Sequence, residues 1–126
     1  MNSKRKGTNG ERLLAKELQK YGYDTHRTAQ FRGGADSPDV TGLPGIHIEC
    51  KFYHDPLSHT QKETFVQQAE RDSEGKAIPA VFHKANRQPW EVTMRVCDFC
   101  ILTDGRSMER GLITMRLDEW MEVYKR

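Results

Sequence analysis

Two carboxylates and an ammonium, Asp39, Glu49 and Lys51, fall within fourteen residues between Pro38 and Lys51. Asp39 opens a short extended segment, Pro38-Asp39-Val40-Thr41. Gly42-Leu43-Pro44-Gly45 has the composition of a turn, and Glu49 and Lys51 stand two apart in the run that follows. In a strand, residues i and i+2 point to one face and lie about 6–7 Å apart along the chain. If the turn makes the two segments antiparallel neighbours, Asp39 comes opposite Glu49. Carboxylates converging in this way repel unless a cation sits between them. Hard oxygen donors without His or Cys favour Mg²⁺ or Mn²⁺ over zinc. An adjacent ammonium suits a site where the cation and Lys51 together hold a phosphate and its attacking water. The plainer alternative is that Glu49 and Lys51 form the wet face of an antiparallel strand.

Those residues need elements to position them. Ile46 to Phe52 alternates, with Ile46, Ile48, Cys50 and Phe52 on one face and His47, Glu49 and Lys51 on the other, the pattern of a half-buried strand. Upstream, Thr8-Asn9-Gly10-Glu11 has capping-box spacing and predicts a helix opening there, with Leu14, Leu18 and Tyr21 at helical spacing and Gly22 placed to stop it. Residues 23–28 read as a strand, and residues 30–37 as a Gly-rich loop carrying Phe31 and Arg32. Ser58-His59-Thr60-Gln61 is a second capping box, opening a helix that runs to about Arg71. Residues 77–84 and 90–96 read as strands joined by Asn86-Arg87-Gln88-Pro89, and residues 117–124 as an amphipathic helix. The order α-β-β-β-α-β-β-α argues for an α/β fold, a small mixed sheet flanked by helices.

The chain has 126 residues, 36% hydrophobic and 30% charged, with a mean hydropathy of -0.82. That allows one modest core and excludes disorder as the default. A single domain over residues 1–126 is expected, with residues 1–7 as a basic N-terminal tail. No apolar run approaches the length of a membrane span, and none follows Lys4-Arg5-Lys6, so neither a span nor a secretory signal is expected. Three cysteines without framework spacing fit a reducing cytoplasm. The net charge is only +2, yet residues 1–35 carry eight Lys/Arg against three acids, a basic excess able to seat a polyanion or simply to solvate a helix.

Pro38-Asp39 followed by Glu49-Cys50-Lys51 resembles the PD-(D/E)xK nuclease motif. The Lys-rich start, Gly7-Thr8-Asn9-Gly10-Glu11-Arg12, the Arg27 segment and Gly33-Gly34 resemble the archaeal Holliday junction resolvases and their small phage relatives, over about residues 4–84. The resemblance implies a restriction-endonuclease-like fold, a homodimer, and Mg²⁺-dependent phosphodiester hydrolysis in branched DNA, four-way junctions above all, with Mn²⁺ able to substitute. It implies that Asp39 and Glu49 bind metal, that Lys51 orients or polarises the nucleophile, and that Glu11 is a third carboxylate. Arg12, Arg27 and Arg32 would contact phosphates, with Lys84 and Arg87 as further DNA-binding candidates. The expected setting is the cytoplasm of a bacterial, archaeal or phage-infected cell. The serine-like hydroxyl that archaeal resolvases carry ahead of the PD strand has only Ser37 as its counterpart.

Other readings stay open at this stage. Glu11 sits at the N3 position of the expected cap, so it is a helix cap, a catalytic carboxylate or both. Gln67 and Gln68 read first as solvated helix residues and second as amides presented to the site, and His47 reads as an exposed strand histidine. Cys97-Asp98-Phe99-Cys100 has knuckle spacing but no second ligand pair, so packing is the expectation. Phe31 could stack on a junction. Trp90, or the stripe Leu117, Trp120 and Tyr124, could supply core or dimer surface. A nuclease acting on flaps, nicks or duplex, a non-catalytic nucleic-acid-binding module, and a structural domain are the alternatives to junction cleavage.

Overall fold

The computed structural model describes residues 3–28 and 38–126. In chain order the elements are α1 (Ser3–Gln19), β1 (His26–Arg27), β2 (Val40–Thr41), β3 (Ile46–Tyr53), α2 (His59–Ser73), β4 (Ile78–Ala85), β5 (Glu91–Arg95), α3 (Val96–Leu102), β6 (Leu112–Arg116) and α4 (Leu117–Tyr124). The strands form one mixed sheet in the order β1-β2-β3-β4-β5-β6. β3 and β4 run parallel, with α2 as the crossover such a pair requires, and the other neighbours are antiparallel. The α/β class and the central mixed sheet agree with the sequence reading, which lacked α3 and β6.

The two faces of the sheet differ in chemistry. On one, Ile46, Ile48, Phe82, Val92 and Met94 pack with Leu14 and Leu18 of α1 and with Trp120 and Met121 of α4. On the other, β3, β4 and β5 turn His47, Glu49, Lys51, His83, Thr93 and Arg95 toward α2. This polar layer is wired by hydrogen bonds: His83 Nε2 lies 2.8 Å from Thr93 Oγ1, which lies 2.6 Å from Thr114 Oγ1. Arg95 is buried and clamps α2, its Nη1 donating to Glu63 Oε1 at 3.0 Å and its Nε to Glu70 Oε2 at 3.2 Å. β3 is therefore covered on both faces, and Ile46 to Cys50 are all buried, where alternation predicted a half-buried strand.

Helix α2 opens as predicted. The Ser58 hydroxyl accepts from the Gln61 N–H at 3.1 Å, and the Gln61 side chain accepts from the Ser58 N–H at 2.9 Å. Helix α1 does not. It begins at Ser3, so Thr8 and Glu11 lie inside it, the capping box at Thr8 is not formed, and residues 3–7 are helical. Good helix formers at Lys4, Arg5 and Lys6 extend the helix. Lys6 is also held from outside, with its Nζ over the Phe52 ring at 4.9 Å and 3.3 Å from Asn86 Oδ1. β1 is shorter than residues 23–28: the Thr25 carbonyl accepts from Gln19 Nε2 at 2.8 Å and its hydroxyl donates to the Ala15 carbonyl at 2.7 Å, both bonds to α1.

The apolar stripe considered for a dimer is spent inside the chain. Trp90, Leu117 and Trp120 are buried, Tyr124 stacks on Trp120 with centroids 5.0 Å apart, and the Tyr124 hydroxyl donates to the Pro44 carbonyl at 2.7 Å.

Gly10 is where α1 crosses β3. A Cβ there would meet Phe52 Cβ at 2.7 Å, an atom fixed to the strand backbone that cannot swing away, whereas a Cβ at Gly7 meets nothing within 4 Å. Ala in place of Gly in a helix gains up to about 1 kcal/mol, while overpacking costs about 1–3 kcal/mol. Gly7→Ala should therefore raise the thermal midpoint and Gly10→Ala should lower it. Equal gains in both variants would contradict the close crossing.

Candidate active site

Asp39 is held by two contacts to the strand beside it. Its N–H donates to the Ile48 carbonyl at 2.9 Å, and its Oδ2 accepts the Cys50 N–H at 2.9 Å. The antiparallel register pairs Val40 with Ile48, which sets Asp39 opposite Glu49. Glu49 is 3% exposed. Glu11 reaches the same place from α1, its Oε1 accepting from Arg27 Nε at 2.7 Å. Glu11, Asp39, Glu49 and Lys51 line one cleft of about 500 Å³, together with Lys6, Phe52, His54 and Gln68. The four residues expected to act together are thus brought together. The N3-cap reading of Glu11 is removed, because that residue lies mid-helix.

Helix α2 runs over β3 and matches its polar face residue for residue. Lys51 Nζ sits 4.4 Å from the centre of the Phe65 ring, a contact that limits where the ammonium can go. Gln68, one turn on, lines the cleft, while Gln67 points away and lies 3.4 Å from Glu63. Gln68 is thus a cleft residue, where a solvated position was expected. Asp72, one turn further, reaches the region of His47 and Glu49. His47 is buried, its Nε2 3.3 Å from Glu49 Oε1, where an exposed histidine was expected. α2 lies over this face, and strand alternation cannot register a helix arriving from later in the chain.

The electrostatics of the cleft fit a cation. Burial, and then the negative charge of Glu49, push the Asp39 carboxyl up to about 7, against the Cys50 N–H and Lys51, which favour its ionised form. Burial and the Glu49 charge also push Asp72 up. Asp39 and Glu49 offer only oxygen, the donor type of hard divalent ions.

Of the remaining expected DNA contacts, Arg27 and Lys84 touch residues that line the cleft. Arg12 is exposed on α1, and Arg27 is engaged with Glu11. Lys84 lies 5.3 Å from the Phe52 ring centre, on the same aromatic as Lys6, and Arg87 is exposed in the β4–β5 turn. Arg32, together with Phe31, Gly33, Gly34 and Ser37, lies outside the described residues. Trp90 is core, and Cys97 and Cys100 are free thiols on α3. Lys6, His54, Phe65 and Asp72 join the cleft or its surroundings beyond the residues expected from the sequence. For Phe65 and Asp72 a signal existed, since 65, 68 and 72 share one helical face.

This fold and this set of side chains define a PD-(D/E)xK nuclease. The chain belongs to the family described as "Phage putative PDDEXK endonuclease", whose profile matches residues 2–124, and it is an endonuclease. Among solved structures, it is similar to that of Hjc, a Holliday junction resolvase from the archaeal hyperthermophile Archaeoglobus fulgidus. Identity is 24% over 95% of this chain and 88% of that one, with a TM-score of 0.47. No curated protein matches the sequence significantly. Among the described residues, no helix is long and apolar enough to cross a membrane.

The raised Asp39 sets a pH dependence. From about pH 4 to 7 the folded, metal-free protein keeps a proton on Asp39 that the unfolded chain has released. This group's contribution to stability is therefore present at low pH and lost as pH rises through that window. In EDTA, Asp39→Asn should gain stability relative to wild type as pH goes from 4.5 to 8, in thermal melts. A difference that stays constant with pH would show that Asp39 ionises freely in the fold.

Proposed function

We propose that this chain is a Mg²⁺-dependent, structure-specific endodeoxyribonuclease that cleaves branched DNA, with the four-way junction as its substrate, and that it acts as a homodimer. The observation that carries the reading is Asp39 held opposite Glu49, with Lys51 and Glu11 in the same cleft. Asp39 and Glu49 hold the metal, whose oxygen-only donors suit Mg²⁺ and admit Mn²⁺. Mg²⁺ so held supplies charge neutralisation and Lewis acidity at a phosphodiester.

The chain's own groups do the rest. Lys51, steadied on Phe65, donates to the attacking water or to the oxygens on which charge builds as the water oxygen bonds to phosphorus and the phosphorus–sugar ester bond breaks. Glu11 enters as a third carboxylate, and Arg27 offsets its charge so that a phosphate can approach. Gln68 offers an amide to the rim of the cleft. Arg12, Arg27, Arg32, Lys84 and Arg87 contact the DNA backbone, and Lys6 joins them from its place over Phe52.

Branched DNA is favoured by the order of the motifs, Gly7 to Arg12 and then Pro38-Asp39 and Glu49-Cys50-Lys51, which is that of the junction resolvases. The basic excess of the first 35 residues suits a polyanion. Resolving a junction takes two symmetry-related nicks, and one chain carries one Asp39/Glu49/Lys51 set, so a two-fold dimer completes the machinery.

The test is cleavage of labelled junction, flap, nicked and plain duplex DNA with Mg²⁺ or EDTA. Junctions should be cut best, and only with metal. Asp39→Ala, Glu49→Ala and Lys51→Ala should each lose at least about 10²-fold in rate while still binding DNA. Wild-type chains mixed with excess Asp39→Ala should nick one strand without resolving the junction. Full activity of Asp39→Ala, or of wild type in EDTA, would overturn the catalytic reading. Equal cutting of plain duplex would overturn the substrate, and a monomer that resolves junctions would overturn the dimer.

A further inference from the structure

His47 and Asp72 have no part in the chemistry above, yet both meet Glu49. His47 and Glu49 stand two apart on the α2 face of β3, and Asp72 comes down from the last turn of α2. One ligand atom from each of the three lies within 4.8 Å of the other two, and the His47 Nε2 to Glu49 Oε1 distance is 3.3 Å. An ion with bonds of about 2.0–2.2 Å holds adjacent donors about 3.0–3.5 Å apart and opposite donors about 4.2 Å apart, so small inward movements close the shell. The Arg95 clamp on Glu63 and Glu70 fixes the helix that carries Asp72, so the site is positioned before any ion arrives. His47 and Glu49 are nine-tenths buried or more, while the half-buried Asp72 leaves an approach for the ion and its waters.

We propose that His47, Glu49 and Asp72 form a second divalent-cation site, one that takes transition-metal ions such as Mn²⁺ or Zn²⁺, with Glu49 shared between it and Asp39. The imidazole sets the preference. Nitrogen suits zinc and its neighbours, whereas Mg²⁺ prefers an all-oxygen shell, so the two sides of Glu49 differ in the ion they select. The ion also separates two crowded carboxylates, Glu49 and Asp72. The site does not depend on which DNA the enzyme cuts.

The test reads metal binding rather than cleavage. Mn²⁺ titrated into the whole protein at pH 7.5, with free ion followed by electron paramagnetic resonance, should give two ions per chain. Asp39→Ala should keep one, and Zn²⁺ should displace that ion at far lower concentration than Mg²⁺ does. Adding His47→Gln or Asp72→Asn to Asp39→Ala should weaken the remaining ion at least tenfold. Spin-echo modulation of Mn²⁺ in Asp39→Ala should show imidazole nitrogen, and should still show it when His54, the other imidazole near Glu49, is changed by His54→Gln. One ion in wild type and none in Asp39→Ala would overturn the proposal. So would a retained ion that shows no imidazole nitrogen, or one that His47→Gln leaves in place. Because no step uses DNA, failure here leaves the cleavage reading untouched, and failure there leaves this one.

Discussion

Everything at the cleft depends on the attachment of Asp39 to β3. One backbone hydrogen bond to Ile48 and one carboxylate hydrogen bond from Cys50 place its side chain across from Glu49. Burial first, and then the negative charge of Glu49, oppose ionisation of Asp39 and push its carboxyl up to about 7. The turn between β2 and β3 makes the approach possible. Gly42 has φ +121, and a Cβ there would meet the Asp24 carbonyl at 2.4 Å, so the turn has room for no side chain. Burial and charge thus set Asp39 against Glu49, a conflict that a divalent cation between them would relieve.

A second constraint keeps the polar face of the sheet from becoming a fault. Buried polar groups cost free energy unless they are partnered, and here Arg95, His83, Thr93 and Thr114 are joined to one another's neighbours or to α2. A buried ion pair seldom adds much stability over an apolar replacement. Its contribution here is positional: the Arg95 contacts with Glu63 and Glu70 set α2 so that Phe65, Gln68 and Asp72 meet Lys51, the cleft and Glu49 in turn. Gly10 does the same for α1, bringing Glu11 close enough to β3 to enter the cleft.

How much of this the sequence discloses follows from the range of each interaction. The strand pair around Asp39 and Glu49, the capping box at Ser58 and helix α4 are set by residues within about ten positions of one another, and all three are legible. The start of α1 was not, because Lys6 is held by Phe52 and Asn86 from far along the chain. The burial of His47, the placing of Gln68 and the pairing of Arg27 with Glu11 are contacts between elements, to which local periodicity is blind. Cys97-Asp98-Phe99-Cys100 has no clear period, so α3 is not legible in the sequence. β6 is an edge strand of half-buried residues without the marked alternation of β3. The α4 stripe looked available to a partner because a sequence does not reveal that Trp120 and Met121 meet Phe82 and Met94 of the same chain.

If burial and mutual repulsion make Asp39 and Glu49 a cation site, protons leave as the ion binds, and they can be counted. Mg²⁺ titrations by calorimetry at pH 6.5–7, in two buffers of different ionisation enthalpy, report that number. With Asp39 pushed up to about 7, binding should release a substantial fraction of one proton per chain, and Asp39→Asn should bind Mg²⁺ far more weakly with no release from this group. Mg²⁺ that binds wild type without releasing protons, or binds Asp39→Asn equally well, would rule out a cation site made by Asp39 and Glu49.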